Sequence, residues 1–176
     1  SAAAGGDVIR NPKGREAGIA RALTPTDAGR VHPLLAGRGA TWDAPCHHLD
    51  LVAAPPPGAT ILAANANSPV QAAEIAHDGG VFWGVQYHPE FSLAELAAIL
   101  RRVAPGMIRD GFFADETAAA RYCGALAALD RDPARTDLAF TLGVQPEILD
   151  ARARTTEIRN FLDSYARPAK SRRGRA

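Results

Sequence analysis

The spacing of apolar positions changes once along the chain. Up to Gln86 they come in short, alternating or continuous runs broken by Gly, Pro, Asn and Asp, the signature of strands and turns. From Ser92 onward they recur every three or four residues, the helical period. Strands are predicted over 16–23 (EAGIARAL), 45–52 (PCHHLDLV), 59–65 (ATILAAN), 69–76 (PVQAAEIA) and 80–86 (GVFWGVQ). Turn chemistry separates them: Pro25 closes the first, the APPPG run follows the second, and Asn65-Ala66-Asn67-Ser68 and Asp78-Gly79-Gly80 divide the last three. Those last three read as an antiparallel meander. The segment TPTDAGRVHPLLAG reads as a loop with one helical turn at Leu34 and Leu35. Val81, Phe82, Trp83 and Val85 make the last strand apolar on both faces, the pattern of a central strand covered on both sides.

The helical half opens cleanly. Leu93, Leu96, Ala97, Ile99, Leu100 and Val103 share one face, and Ser92 with Glu95 three residues on forms a capping box. Beyond Pro105 an Ala-rich helix is expected over 115–129, a second follows Pro133, and a third carries Ile158, Phe161, Leu162 and Tyr165 at i, i+3, i+4 and i+7. This part reads as a packing appendix without chemistry. At the other end, SAAAGG resembles the close of a helix already under way, with Gly5-Gly6 as its stop, so polypeptide upstream of Ser1 is expected.

Composition removes whole classes of function. The 176 residues, 47% of them hydrophobic, can bury an ordinary core, and no apolar run approaches the ~20 residues of a membrane span. A net charge of +1 gives no field that would gather nucleic acid or lipid. The one basic cluster, Lys170, Arg172, Arg173 and Arg175, lacks apolar partners and reads as a solvated tail. Two cysteines, Cys46 and Cys123, build no disulfide framework, and a cytoplasmic setting is expected.

The chemistry concentrates in GVQYHPE, 84–90. Pro89 cannot donate to a ladder, so the strand must stop near His88, and a capped helix begins two residues after Glu90. An imidazole and a carboxylate are thereby delivered to a strand end between two ordered elements. A histidine works as general base and acid when a carboxylate fixes its other ring nitrogen, and Glu90 has the spacing to do so. A second group is His47, His48 and Asp50. In one regular strand His48 and Asp50 would share a face and His47 would oppose them, so the adjacent histidines cannot ligate one ion together, and neither HExxH nor CxxC occurs. No metal and no other cofactor is expected. Neither cysteine sits on a Gly-x-Cys-x-Gly turn, so the sequence shows a base and an orienting acid without a nucleophile.

GVQYHPE resembles the histidine/glutamate motif of the class I glutamine amidotransferases, which use a Cys-His-Glu triad. AAAGGDVIRNPKGREAG is similar to the stretch after that family's nucleophile elbow, HHLDLV with PPGATILAAN to its His-x-Asp segment and next strand, and PVQAAEI to the strand before the last motif. The similarity runs over about 1–102 and is nearest to glutaminases like that of GMP synthase.

It implies an α/β fold, a mixed sheet flanked by helices, with 1–104 the C-terminal part of an amidotransferase domain, 105–166 a helical extension and 167–176 a basic disordered tail. It implies glutamine hydrolysis through a cysteine thioester, with ammonia passed to an acceptor or a synthetase partner. His88 would be the base and Glu90 its holder, with His48 and Asp50 near the glutamine pocket. The nucleophile would lie upstream of Ser1, leaving this chain alone inactive. The alternatives are an amidotransferase-like binding or regulatory subunit that lost the elbow, and, less favoured, a metal-dependent hydrolase built on His48, Asp50, His88 and Glu90.

Overall fold

A computed structural model describes residues 1–167. The basic residues Lys170, Arg172, Arg173 and Arg175 lie outside the described residues. Strands β1 (Asp7–Arg10), β2 (Glu16–Pro25), β3 (Trp42–His48), β4 (Asp50–Ala54), β5 (Ala59–Ala64), β6 (Ala72–His77) and β7 (Gly80–Val85) precede the helical half, interrupted by the short helix α1 (Asp27–Val31) and a tight turn at Pro33–Leu35. Then come α2 (Leu93–Arg109), α3 (Glu116–Arg131), α4 (Thr136–Leu142), α5 (Pro146–Leu149), α6 (Ala151–Arg154) and α7 (Thr156–Phe161). Five strands form a sheet in the order β3-β2-β5-β6-β7, and β1 pairs with β4 in a second, two-stranded sheet; every ladder is antiparallel. The meander β5-β6-β7 matches the alternation in the sequence.

Strand β2 is the hinge of the sheet. Glu16 to Leu23 pair with β3, whereas Thr24 and Pro25 pair with β5, and an irregularity between Ala20 and Leu23 lets one strand serve both. Ala22 takes a positive φ there, and its N–H donates to Asp43 Oδ1 at 2.8 Å. Successive residues of β2 feed opposite layers. Ile19 joins a core with Leu93, Leu96, Leu100, Met107, Leu126, Leu129 and Ile148, while Ala20 joins Leu23, Leu34, Trp42, Cys46, Leu62 and Tyr87 on the other face.

Three expectations about the strands change. PCHHLDLV is not one strand: the chain leaves the five-stranded sheet at His48 and enters the two-stranded one at Asp50, with Leu49 O accepting from Asn11 N–H at 2.9 Å. The rule that His48 and Asp50 share a face therefore fails. Strand β1 gave no periodic signal because all four residues are exposed. Strand β7 ends the sheet rather than standing at its centre, and Phe82 is 62% exposed.

Helix α2 runs through Pro105 to Arg109, so residues 104 and 105 are consecutive in one helix. An interior proline costs about 3 kcal/mol, but stopping there would withdraw the fully buried Met107 from the core. That core joins β2 and α2 to α3–α5, so the helical part packs on the sheet. The apolar stripe of the last helix differs too: Ile158, Phe161 and Leu162 are 36–41% exposed.

At Gly18 the backbone of β2 lies close against α3. Its φ is +81°, and a Cβ there would overlap the Tyr122 hydroxyl of α3. Both strain and collision oppose a side chain. Gly18→Ala is expected to destabilise the protein by more than about 1 kcal/mol, read as a lowered urea midpoint. An unchanged midpoint would show that α3 is free to move away from β2.

Candidate active site

Past Val85 the chain leaves the ladder, and few contacts hold its backbone. Gln86 N–H donates to Gln71 O at 2.8 Å and His88 N–H to Pro45 O at 2.7 Å. The second bond ties the motif to β3 one residue before Cys46. Pro89 then turns the chain toward α2, whose capping box is present in full: Ser92 Oγ accepts from Glu95 N–H at 3.2 Å, and the Glu95 carboxylate accepts from Ser92 N–H at 2.8 Å. His88 Nδ1 lies 2.8 Å from Glu90 Oε1, and the imidazole stacks on Phe91 with ring centroids 4.3 Å apart. Donation from Nδ1 to the carboxylate leaves Nε2 as the basic nitrogen. The pair is partly open, with one-third of the His88 side chain and about half of Glu90 accessible.

The second histidine group is built differently. His48 Nδ1 faces Asp50 O at 3.0 Å and Nε2 lies 2.8 Å from Glu16 Oε2. Asp50 O also accepts from Gln86 Nε2 at 2.7 Å, which links this group to the strand before His88. Asp50 contributes its carbonyl here, and its side chain is exposed.

Glu16 is a residue that the sequence pattern left unmarked. It is 4% exposed, and its carboxylate also accepts from Asn65 Nδ2 at 2.6 Å, Asn67 Nδ2 at 3.1 Å and Gln71 Nε2 at 2.8 Å. The asparagines read as turn formers thus serve a buried anion. Burial pushes the Glu16 carboxyl up, but the bonds from His48, Asn65 and Asn67 outweigh it and the net shift is downward. A cavity of about 390 Å³ adjoins this network, bordered by His48, Gln71, Gln86, Val52, Phe82 and Val85. Gln71 Oε1 is buried without a protein partner.

His47 points away from this network. Burial, then the positive charge of Arg15 and the neighbouring His88 and His48, hold its imidazole below the usual value, so it is neutral at pH 7. Among the described residues no group of three or more His, Cys, Asp or Glu side chains is arranged to hold a metal ion.

The cysteines fail as nucleophiles on physical grounds. Cys46 lies wholly inside the sheet core, and burial followed by the Glu16 charge pushes its thiol well above the usual range. Cys123 is equally inaccessible inside α3, and burial raises its thiol as well. Neither supplies thiolate at neutral pH.

A strand-end histidine oriented by a carboxylate on an α/β scaffold has the geometry that a general base requires. The sequence model of glutamine amidotransferase class-I matches residues 1–104, and the chain belongs to that family. It is 38% identical over 114 residues to a gamma-glutamyl-L-1-hydroxyisopropylamide hydrolase from a Pseudomonas species, a match covering 63% of this chain and 38% of the relative. It is also 38% identical over 71 residues to the glutamine-hydrolysing GMP synthase of Thermomicrobium roseum, covering 40% of this chain and 13% of that enzyme. The chain thus spans well under half the length of either relative. A crystal structure of a glutamine amidotransferase from Methylobacillus flagellatus superposes with a TM-score of 0.51 at 19% identity over 90% of this chain and 57% of that one, a likeness of fold. The α/β architecture with flanking helices is that of this family.

The Glu16 network makes a pH-dependent prediction. Its folded pKa lies below the ordinary value of 4.5, so the stability it contributes is present above that pH and is lost as pH falls through the lowered folded value. Glu16→Gln is expected to lower the unfolding midpoint at pH 7, with the gap to the native protein closing below pH 4.5. A gap constant from pH 7 to 3, followed by urea titration, would mean that the charge is not what the asparagines hold.

Proposed function

We propose that this chain carries the base-and-orienter half of a class I amidotransferase centre that cleaves the γ-amide of glutamine or a related γ-glutamylamide. The observation that carries the reading is the 2.8 Å contact of His88 Nδ1 with Glu90 Oε1, at the strand end of a chain that belongs to the family. His88 Nε2 takes the proton of a cysteine thiol as sulfur attacks the amide carbon, then returns it to the departing nitrogen; Glu90 stabilises the imidazolium formed between those steps. The names of the two relatives favour γ-glutamyl amides as the substrate class. His48 belongs to the wall of the adjoining cavity, and Asp50 anchors that wall through its carbonyl. Ammonia released there passes to an acceptor on another domain or partner.

The thiol comes from polypeptide outside these 176 residues, because both cysteines present are buried and protonated. The same observation favours a second reading, a non-catalytic amidotransferase-like subunit that binds or regulates. The regions 1–104 and 105–166 then act as one body, since α2 and its core span their boundary.

Two measurements test this. The purified chain is expected to release no glutamate from glutamine, because removing a triad's nucleophile eliminates nearly all of its rate advantage. Release that disappears in His88→Ala would make Cys46 or Cys123 the nucleophile after all. In an assembly that includes an elbow cysteine, Glu90→Gln is expected to lower kcat by about 10²–10⁴. Unchanged turnover would reduce Glu90 to an acid at the start of α2 and favour the non-catalytic reading.

A further inference from the structure

The loop that carries His88 is tied to the strands by backbone bonds from Gln86 and His88 and by the Gln86 side chain. From Gln86 to Glu90 the chain lies outside the ladder, Glu90 is exposed, and His88 is only partly covered. Tyr87 and Pro89 are the buried side chains of this stretch, and Tyr87 brings its hydroxyl to a buried polar anchor. Its hydroxyl donates to Glu157 Oε1 at 2.8 Å, and its ring meets Trp42 edge-on with centroids 6.2 Å apart.

Glu157 comes from α7, beyond the part of the chain that the family model matches. It is 2% exposed, and its charge is neutralised in a fixed geometry. Arg38 Nε donates to Oε1 and Nη2 to Oε2, both at 2.7 Å, a bidentate fork. The Arg38 Nη2 group also reaches Arg154 O at 3.0 Å, and the guanidinium sits 5.4 Å from the centre of the Trp42 ring. Asn160, one turn along α7, donates to Leu34 O at 2.9 Å and Ala36 O at 2.8 Å, so the helix is also fastened to the segment just before Arg38. Burial, and then the neighbouring carboxylate, hold the Tyr87 phenol well above its usual range, which keeps it a donor.

We propose that Glu157, held by Arg38, is a positioning residue for His88, acting through the Tyr87 hydroxyl to fix the loop in which His88 meets Glu90. The proposal rests on the reading of His88 as the base, and it assigns the C-terminal helices a part in the site. A carboxylate with two rigid partners is the right device: a bidentate pair fixes both direction and distance, and Tyr87 is the residue next to the base.

The test reads His88 itself in the full chain, so the absence of turnover has no bearing on it. Long-range proton–nitrogen correlation spectra of ¹⁵N-histidine-labelled protein report which ring nitrogen carries the proton, with His88→Gln identifying the signal. In the native chain a single tautomer is expected, protonated at Nδ1. Tyr87→Phe removes one donor while keeping the packed ring, and Glu157→Gln removes the charge that Arg38 grips. Both are expected to mix the His88 tautomers and to speed exchange of the Nδ1 proton by about tenfold, the scale of one lost charged hydrogen bond. Leu126→Ala, in the helical core, lowers the melting temperature without touching this chain of contacts and is expected to leave the His88 signal in place. An unchanged His88 signal in Tyr87→Phe and Glu157→Gln would overturn the proposal, as would an equal change in Leu126→Ala.

Discussion

A carboxylate taken out of water must be met by several donors, and Glu16 shows how much structure that requirement organises. Its two oxygens gather the end of β3 through His48, the β5–β6 turn through Asn65 and Asn67, and the start of β6 through Gln71. Asn65 Oδ1 in turn accepts from the N–H groups of Asn67 and Ser68, so the turn is shaped from within by the same side chain that serves the anion. Losing one donor from such a network strands a buried charge, which is why these contacts form together or fail together.

Two buried carboxylates support the segment that leads to His88 and Glu90. Glu16 holds the wall that contains His48 and reaches Gln86 through the Asp50 carbonyl. Glu157 holds the next residue along, Tyr87, from the opposite layer. His88 and Glu90 follow these anchored residues and are partly open to solvent. Buried groups supply the rigidity, and the exposed pair is left accessible.

The helical half has a place in this arrangement that its sequence pattern alone does not suggest. One buried cluster from Ile19 through α2 to Ile148 makes sheet and helices a shared core, and the polar contacts of α7 reach Tyr87, the residue before His88. The exposed stripe of Ile158, Phe161 and Leu162 shows that hydrophobic spacing finds a helix without deciding which face is buried.

The local signals carried far in this chain. Turn residues and alternation located β2 and the β5-β6-β7 meander, the Ser92–Glu95 box marked the start of α2, and Pro89 between His88 and Glu90 placed an imidazole and a carboxylate at a strand end, because each depends on neighbours within a few residues. Tertiary structure decided what depends on distant partners. The change of sheet at Leu49 follows from the pairing of β1 with β4, and the edge position of β7 from strand order. The run of α2 through Pro105 follows from the core that receives Met107. Glu16 and Glu157 look like ordinary surface acids in the sequence, since a charge reveals that it is buried only when the donors that satisfy it, 32 to 119 positions away, are brought to it by the fold.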